Sequence, residues 1–420
     1  MSQDSRSGAL RREFSAGWRV LLAAALGSSV ATTAIPLYSM GVFIEPLEIA
    51  KGWSRTDVTT AATIFGFCLP FSILLIGHSV ERIGVRSTVV LGHVMLGLAF
   101  FGLSRSGNSL EVFWGLHALA ALLAAGASPV AYTRAVIRHF DEIRGLAIGI
   151  FMASAGLGAA LAPPLLDAVI RGAGWESGYR ALGVTLLAVA VVVFWLLRDI
   201  DDNSPATEPG SRQPNSVAPE NAVGVVGPAP PRVTLAVICM AIFAVALSVN
   251  GYVVHFIPLL RDEGMTAGDA AMVASYIGVS VILGRLVTGA LMDRVSVGLI
   301  GFFVFATAAS GIVLLQIFGS AAALICAIAV GFTVGAEVDL VTYMVSRTFE
   351  PARFSRNFSW VYSAFMIGGG LSPLLAAYIY DTTGSYGHFF SLTATLLMII
   401  SLGFIGLHRM QRIMIPDSRP

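Results

Sequence analysis

The chain has 420 residues, of which 56% are hydrophobic and only 12% are charged, and its formal net charge is +1. A soluble protein of this length carries about twice that share of charged residues, so the composition excludes a soluble protein and indicates an integral membrane protein. The balanced charge also argues against nucleic acid as a partner.

Twelve membrane-spanning helices are predicted, because apolar runs of about 20 residues recur along the whole chain. The three cysteines are scattered within these runs, so we expect free thiols, no disulfide and no metal site. The predicted spans are 18–44, 56–78, 86–105, 111–137, 145–168, 179–198, 233–260, 268–291, 297–317, 320–346, 357–380 and 386–408.

The first half of the chain supplies three candidates for lining a substrate cavity. Thr32 belongs to a stripe of hydroxyl side chains on the first span, and Tyr38 follows just beyond Pro36. Such hydroxyls more often bond to their own backbone one turn earlier, which is the alternative for Thr32. Arg134 lies one turn before Arg138 on the fourth span. It is interpreted either as a cavity cation or as an anchor that reaches the cytoplasmic edge of the bilayer.

A polar segment between the sixth and seventh spans is rich in Pro, Ser, Asn and acidic residues. This composition predicts a cytoplasmic linker without a fold of its own. The expected organisation is therefore an N-terminal arm (1–17), a six-helix bundle (18–198), the linker (199–232), a second six-helix bundle (233–408) and a cytoplasmic tail (409–420).

An arginine inside the eighth span is the strongest functional signal in the sequence. Arg285 lies eight residues before Asp293, which places it ~12 Å from the end of the helix. A charge at that depth is costly and usually faces the interior of a helix bundle. Its planar guanidinium can hold a carboxylate through two hydrogen bonds, so Arg285 is the main candidate for binding an anionic substrate. The alternative is a structural ion pair between two helices.

Two acidic residues on the tenth span share the depth of this arginine. Asp339 and Glu337 lie eight and ten residues before Arg347, or ~12 and ~15 Å from the end of the span. Because they are two residues apart, they point about 200° apart around the helix, and both cannot face one cavity. Both Glu337 and Asp339 are candidates for proton coupling, with Glu337 favoured as the central group and Asp339 as a brace to Arg285. The alternative is a fixed brace without any titration.

Two further residues of the second half are weaker candidates for substrate binding. His255, near the outer end of the seventh span, has an imidazole that titrates near physiological pH, so it can bind or gate. A hydrogen-bonded packing group is the commoner role for such a histidine. Tyr362, beside Ser363 on the eleventh span, is a weaker candidate of the same kind as the hydroxyl stripe on the first span.

A Gly-x-x-x-acid-Arg turn occurs in both halves of the chain. It carries Glu81 and Arg82 in the first copy and Asp293 and Arg294 in the second, at an offset of 212 residues. Parallel repeats of this kind are typical of transporters that hold their substrate between two bundles. The four charged residues are predicted to form a cytoplasmic latch, with the acids held at neighbouring helix N-termini by their partial positive charge.

The basic residues favour one orientation in the membrane. Most of the 26 Lys and Arg residues fall in segments that are cytoplasmic if the N-terminus is inside, which predicts that both termini are cytoplasmic.

These features resemble the major facilitator superfamily, whose turn motif reads Gly-x-Leu-x-Asp-Arg-x-Gly-Arg-basic and stands here as GHSVERIGVR at residues 77–86. The segments 38–55 and 144–165 are similar to bacterial members of the monocarboxylate transporter branch and its oxalate–formate relatives. The resemblance implies an arginine on the eighth helix that faces the substrate carboxylate, which is Arg285 here. Animal members also have an acidic residue one turn earlier, where this chain has Val281.

The sequence therefore predicts an all-α membrane protein of twelve helices in two pseudo-symmetric six-helix bundles. The predicted function is a secondary active transporter that takes up a small organic monocarboxylate with protons, as a monomer in the cytoplasmic membrane of a bacterium. An anion exchanger or an exporter of amphipathic compounds is the alternative within transport, and a non-transporting membrane sensor is a remote one. The sequence contains no nucleotide loop and no nucleophile–base set, so we expect no enzyme activity, no catalytic or metal-binding residues and no cofactor.

Overall fold

The computed structural model describes residues 3–30, 35–140, 144–198, 231–292, 294–349 and 354–414. Within these ranges every regular element is helical, as the apolar runs predict. The helices are α1 (Gln3–Ser29), α2 (Ile35–Lys51), α3 (Arg55–Leu103), α4 (Leu110–Leu123), α5 (Pro129–His139), α6 (Arg144–Ala173), α7 (Trp175–Leu196), α8 (Pro231–Asp262), α9 (Ala267–Met292), α10 (Val297–Phe318), α11 (Ala323–Thr348), α12 (Phe354–Thr383) and α13 (Gly387–Met414), with 3-10 turns at Ala124–Ala127 and Gly319–Ala322.

The helix boundaries differ from the predicted spans in the first half of the chain. The first predicted span is divided between α1 and α2, and the fourth between α4 and α5. The second and third predicted spans instead form the single helix α3, which contains one non-helical residue, Gly84, with φ 78° and ψ 165°. A residue with a side chain rarely adopts that backbone conformation, so glycine is what allows the chain to turn there between two helical segments.

Local signals in the sequence account for where helices begin. α3 starts with a capping box, in which Ser54 Oγ accepts from Asp57 N at 3.1 Å and Asp57 Oδ2 accepts from Ser54 N at 3.0 Å. α10 has a simpler N-cap, in which the side chain of Ser296 accepts a hydrogen bond from Leu299 N.

Eight helical segments of the described chain are long and apolar enough to cross a membrane. Large apolar side chains on them, such as Trp195, Phe303 and Ile317, are exposed, which suits helices surrounded by hydrocarbon rather than water. The chain is thus a multi-pass membrane protein, while the number of twelve spans and the cytoplasmic location of both termini stay predictions.

The chain divides into two compact units. The first comprises Met1–Ala206 with Thr266–Gly278, and the second comprises Thr207–Met265 with Val279–Pro420. The core of the first unit draws on five helices, through buried residues such as Val20, Val89, Tyr132, Phe151 and Val193. The predicted division at residues 199–232 lies mostly outside the described residues.

In the second unit α12 packs closely against α8, and one of its side chains hydrogen-bonds to the backbone of α8. The hydroxyl of Ser372 accepts a hydrogen bond from Gly251 N at 2.6 Å and donates one to the carbonyl of Leu247. Gly251 N and the carbonyl of Leu247 lie one turn apart on α8, and a single side chain of α12 hydrogen-bonds to both. A Cβ at Gly251 would lie 2.8 Å from Ser372 Oγ, so a glycine is needed for this approach.

Candidate functional site

The candidate site lies in the second unit, where α9 crosses α11 at two glycines. A Cβ added at Gly335 would lie 3.0 Å from the backbone nitrogen of Arg285 and against the carbonyl oxygen of Val281. A Cβ added at Gly284 would press on the backbone of Phe332, 3.0 Å from its Cα. The two backbones are therefore in direct contact, and no side chain separates them. This crossing places Arg285 beside the part of α11 that carries the two acidic residues.

An alanine scan of the glycines of α9 is expected to reveal this crossing. Gly284→Ala should lower the melting temperature, because overpacking at a tight contact costs about 1–3 kcal/mol. Gly289→Ala is the matched control on the same helix, since among the described residues a Cβ there meets nothing within 4 Å, and alanine favours helix. The measurement is thermal unfolding of the purified protein in detergent. Equal melting temperatures of the two variants would contradict the contact.

Arg285 and Asp339 form an ion pair across the crossing. Arg285 Nε lies 3.6 Å from Asp339 Oδ2, and the side chains are 18% and 31% exposed. The separation is too long for a good hydrogen bond but short enough for a strong attraction away from bulk water. The pair is thus partly accessible although both residues lie well inside their helices.

Glu337 lies beside the same arginine but is completely buried. Its residue exposure is 0%, and neither carboxylate oxygen has a hydrogen-bond partner among the described residues. It interacts electrostatically with Arg285. An ionised carboxylate without hydrogen bonds is very costly in such surroundings, so its charge state depends on the arginine and on protonation. We call Arg285, Glu337 and Asp339 the acid–arginine cluster.

A row of aromatic rings on α12 lies next to this cluster. The hydroxyl of Tyr362 is within electrostatic reach of Arg285. The Tyr362 ring stacks on Phe358 at a centroid distance of 5.9 Å, and it packs with a tilt of 31° against Phe365 at 5.8 Å. We call these three residues the aromatic strip. Sequence reasoning named Tyr362 but missed the two phenylalanines, although their spacing of four and three residues places all three rings on one helix face.

His255 occupies a hydrogen-bonded position in the interior of the second unit. Its Nδ1 lies 2.8 Å from the hydroxyl of Tyr386, and its Nε2 lies 2.9 Å from the carbonyl oxygen of Pro373. A carbonyl can only accept, so Nε2 carries the proton and, in the neutral ring, Nδ1 accepts from the tyrosine. The residue is 1% exposed. This geometry favours the packing role over substrate binding.

The remaining predicted residues are less informative. Tyr38 is buried in the first unit, and Arg82 and Arg294 are exposed. Thr32 and Asp293, together with the side chains of Arg134 and Glu81, lie outside the part of the chain that the structure describes. The predicted latch and the second cavity cation therefore stay predictions.

Among the described residues, no group of three or more His, Cys, Asp or Glu side chains is arranged to hold a metal ion. Long apolar helices with an acid–arginine cluster well inside two of them define a multi-pass helical membrane protein, and the cluster is its candidate functional site.

The comparison with family models identifies the family. The model of the Major Facilitator Superfamily matches residues 18–340, more than half of the chain, so the chain belongs to this superfamily. It is a membrane transporter, and transporters of this superfamily carry small-molecule substrates.

Curated relatives agree with the resemblance seen in the sequence. The chain is 25% identical to monocarboxylate transporter 11 of Homo sapiens over 419 residues, covering 94% of this chain and 83% of that protein. It is 25% identical to monocarboxylate transporter 13 of Rattus norvegicus, covering 96% and 92%. It is also 23% identical over 262 residues to the uncharacterized MFS-type transporter YcxA of Bacillus subtilis (strain 168), covering 61% and 60%.

Solved structures show the same fold. A D-xylose-proton symporter matches with a TM-score of 0.70 at 13% identity, covering 93% of this chain and 97% of that chain. The nucleoside transporter NupG (D323A mutant) matches with a TM-score of 0.72 at 10% identity, covering 92% and 99%. At these identities the likeness concerns the fold alone.

Proposed function

We propose that this protein takes up a small organic monocarboxylate together with one or more protons, by alternating access, in the cytoplasmic membrane of a bacterium. The observation that carries the proposal is the acid–arginine cluster, in which a partly accessible Arg285 is paired with Asp339 inside the second unit. The relatives named monocarboxylate transporters support the same substrate class.

The ion pair suggests how the substrate binds. Asp339 occupies Arg285 at 3.6 Å, which is longer than an optimal charge-assisted hydrogen bond of about 2.7–2.9 Å. A substrate carboxylate that binds the guanidinium bidentately makes shorter bonds and takes the place of Asp339. Binding is then an exchange of one carboxylate for another at the same arginine.

This replacement of Asp339 by the substrate couples substrate binding to proton uptake. Arg285 contributes one positive charge and interacts with both Asp339 and Glu337, so the cluster carries a net charge of −1 when both acids are ionised. A substrate carboxylate makes this net charge −2 in a medium of low dielectric, which is unfavourable. Uptake of a proton by Glu337 restores the balance, since its carboxylate has no hydrogen bond among the described residues to hold it ionised.

The alternative function is exchange of anions or export of amphipathic compounds. It is favoured by the aromatic strip, which offers an apolar surface next to charged groups. An exchanger moves one anion against another and needs no net proton movement, so the direction of proton flow separates it from the proposed symporter.

Proton movement is the direct test of the proposal. Cells that produce the protein, suspended in lightly buffered medium, are expected to alkalinise the medium when a transported carboxylate is added, because each substrate removes a proton from outside. Cells without the protein are the control. A high flux of labelled carboxylate without alkalinisation would overturn symport in favour of exchange, and no flux for any carboxylate would overturn the substrate class.

A further inference from the structure

We infer that the substrate is an aromatic monocarboxylate whose ring lies on the aromatic strip while its carboxylate binds Arg285. The inference rests on the proposed function and narrows its substrate class. It starts from the position of Tyr362 on α12, a helix that packs against α11, whose Asp339 Oδ2 lies 3.6 Å from Arg285 Nε. Tyr362 also interacts electrostatically with Arg285.

Tyr362 of the aromatic strip and Arg285 lie at similar distances from the ends of their helices. Tyr362 lies eight residues after the start of α12, or ~12 Å along the helix, and Arg285 lies seven residues before the end of α9, or ~10 Å. In the predicted topology both of these helix ends are cytoplasmic. The three rings run along α12 from Phe358 to Phe365, a rise of ~10 Å. The strip is therefore longer than one benzene ring and can cover the ring of an aromatic ligand.

The strip is not a packing cluster of the ordinary kind. The aromatic core of the same unit, which includes Tyr252 and Phe389, is 1% exposed, whereas Tyr362 is 37% exposed. The strip also lies on the face of α12 opposite Trp360, whose 65% exposure marks the lipid-facing side of the helix. An accessible ring near a partly accessible cation is the surface that an amphipathic ligand needs.

The chemistry of the two parts selects the ligand. Arg285 takes a carboxylate, and the strip takes a flat apolar group by offset stacking, which is worth about 0.5–1.5 kcal/mol per aromatic pair beyond the area it buries. A short aliphatic acid binds Arg285 through its carboxylate but is too small to cover the rings of the aromatic strip. We therefore expect phenylacetate to bind about tenfold more tightly than propionate.

Ligand binding to the purified full-length protein in detergent tests this inference. Affinity is measured from the rise in melting temperature over a ligand titration, because a ligand that binds only the folded state stabilises it. The probes are phenylacetate, propionate, the neutral 2-phenylethanol and the cationic 2-phenylethylamine. The expected order is phenylacetate first, propionate second, and weak binding of the other two.

Variants of residues on α12 test where the aromatic ring of the bound ligand lies. Tyr362→Leu and Phe365→Leu are each expected to lower the ratio of phenylacetate affinity to propionate affinity about tenfold, whereas Tyr362→Phe should retain this ratio. Trp360→Leu is the matched control, because Trp360 is 65% exposed and points to the opposite face of the same helix.

The possible outcomes separate this inference from the proposed function. Equal binding of propionate and phenylacetate, or no effect of Tyr362→Leu, would overturn the aromatic substrate and leave carboxylate transport standing. Failure of both carboxylates to bind would overturn both. Preferential binding of 2-phenylethylamine would also overturn both, in favour of the export of amphipathic cations.

Discussion

An Arg285→Ala variant is expected to reach the membrane in normal amounts and to take up organic carboxylates only at the background rate. Two charge-assisted hydrogen bonds from the guanidinium are lost, each worth about 1.5–3 kcal/mol, so affinity should fall about a hundredfold or more. Arg285→Lys is expected to fail as well, because an ammonium group keeps the charge but lacks the planar fork. The measurement is uptake of labelled carboxylate, normalised to the amount of protein in the membrane.

Two controls make this result interpretable. Arg180→Ala, at an exposed arginine of α7, should transport normally and shows what loss of a surface charge does. Arg285→Ala combined with Asp339→Asn removes both members of the ion pair, so the remaining charge is not left without its partner. If the single variant is poorly folded and the double variant is well folded, transport is measured on the double variant. Normal uptake by either would remove Arg285 from the binding site.

Glu337→Gln is expected to abolish accumulation driven by a proton gradient and to spare exchange. Glutamine has nearly the same shape but is always neutral, so it imitates the protonated state and cannot release a proton. With one proton per substrate, a pH gradient of one unit supports about tenfold accumulation, which should fall to equilibrium in the variant. Counterflow of labelled against unlabelled substrate in vesicles should continue, because that cycle needs no change in protonation.

Asp339→Asn distinguishes the roles of the two acids. Asp339 contacts Arg285 directly, so its loss should change the affinity for substrate by releasing the arginine, while the dependence on the pH gradient remains. A Glu337→Gln variant that loses accumulation and exchange to the same extent would indicate a structural or binding group rather than a proton carrier.

Much of the fold could be predicted because the bilayer demands long apolar helices with short polar breaks. The predicted span 297–317 and the helix α10 (Val297–Phe318) agree almost residue for residue, since Ser296 and Gly319 mark both ends. The breaks in the first half were harder to predict. α4 and α5 are separated by a 3-10 turn within one apolar run, and hydropathy does not change at that point.

The charged part of the candidate site could also be predicted, because a charge inside an apolar span is conspicuous. The contacts between helices were beyond the reach of this reasoning. Gly284 and Gly335 look like any other glycines in a glycine-rich chain, and only the structure shows that both lie where two backbones touch. Phe358 and Phe365 are likewise indistinguishable by composition from the many phenylalanines that face lipid or pack in a core.

The contact at these two glycines has a mechanical consequence. Helices that touch without intervening side chains cannot move closer together, and they lose dispersion contacts at once when they move apart. The part of α9 from Val279 onward and α11, which belong to the same unit, should therefore move together. The backbone positions that carry Arg285 and Asp339 then keep the same distance in every conformation. Separation of this ion pair is therefore left to the arrival of a substrate and to rotation of the two side chains.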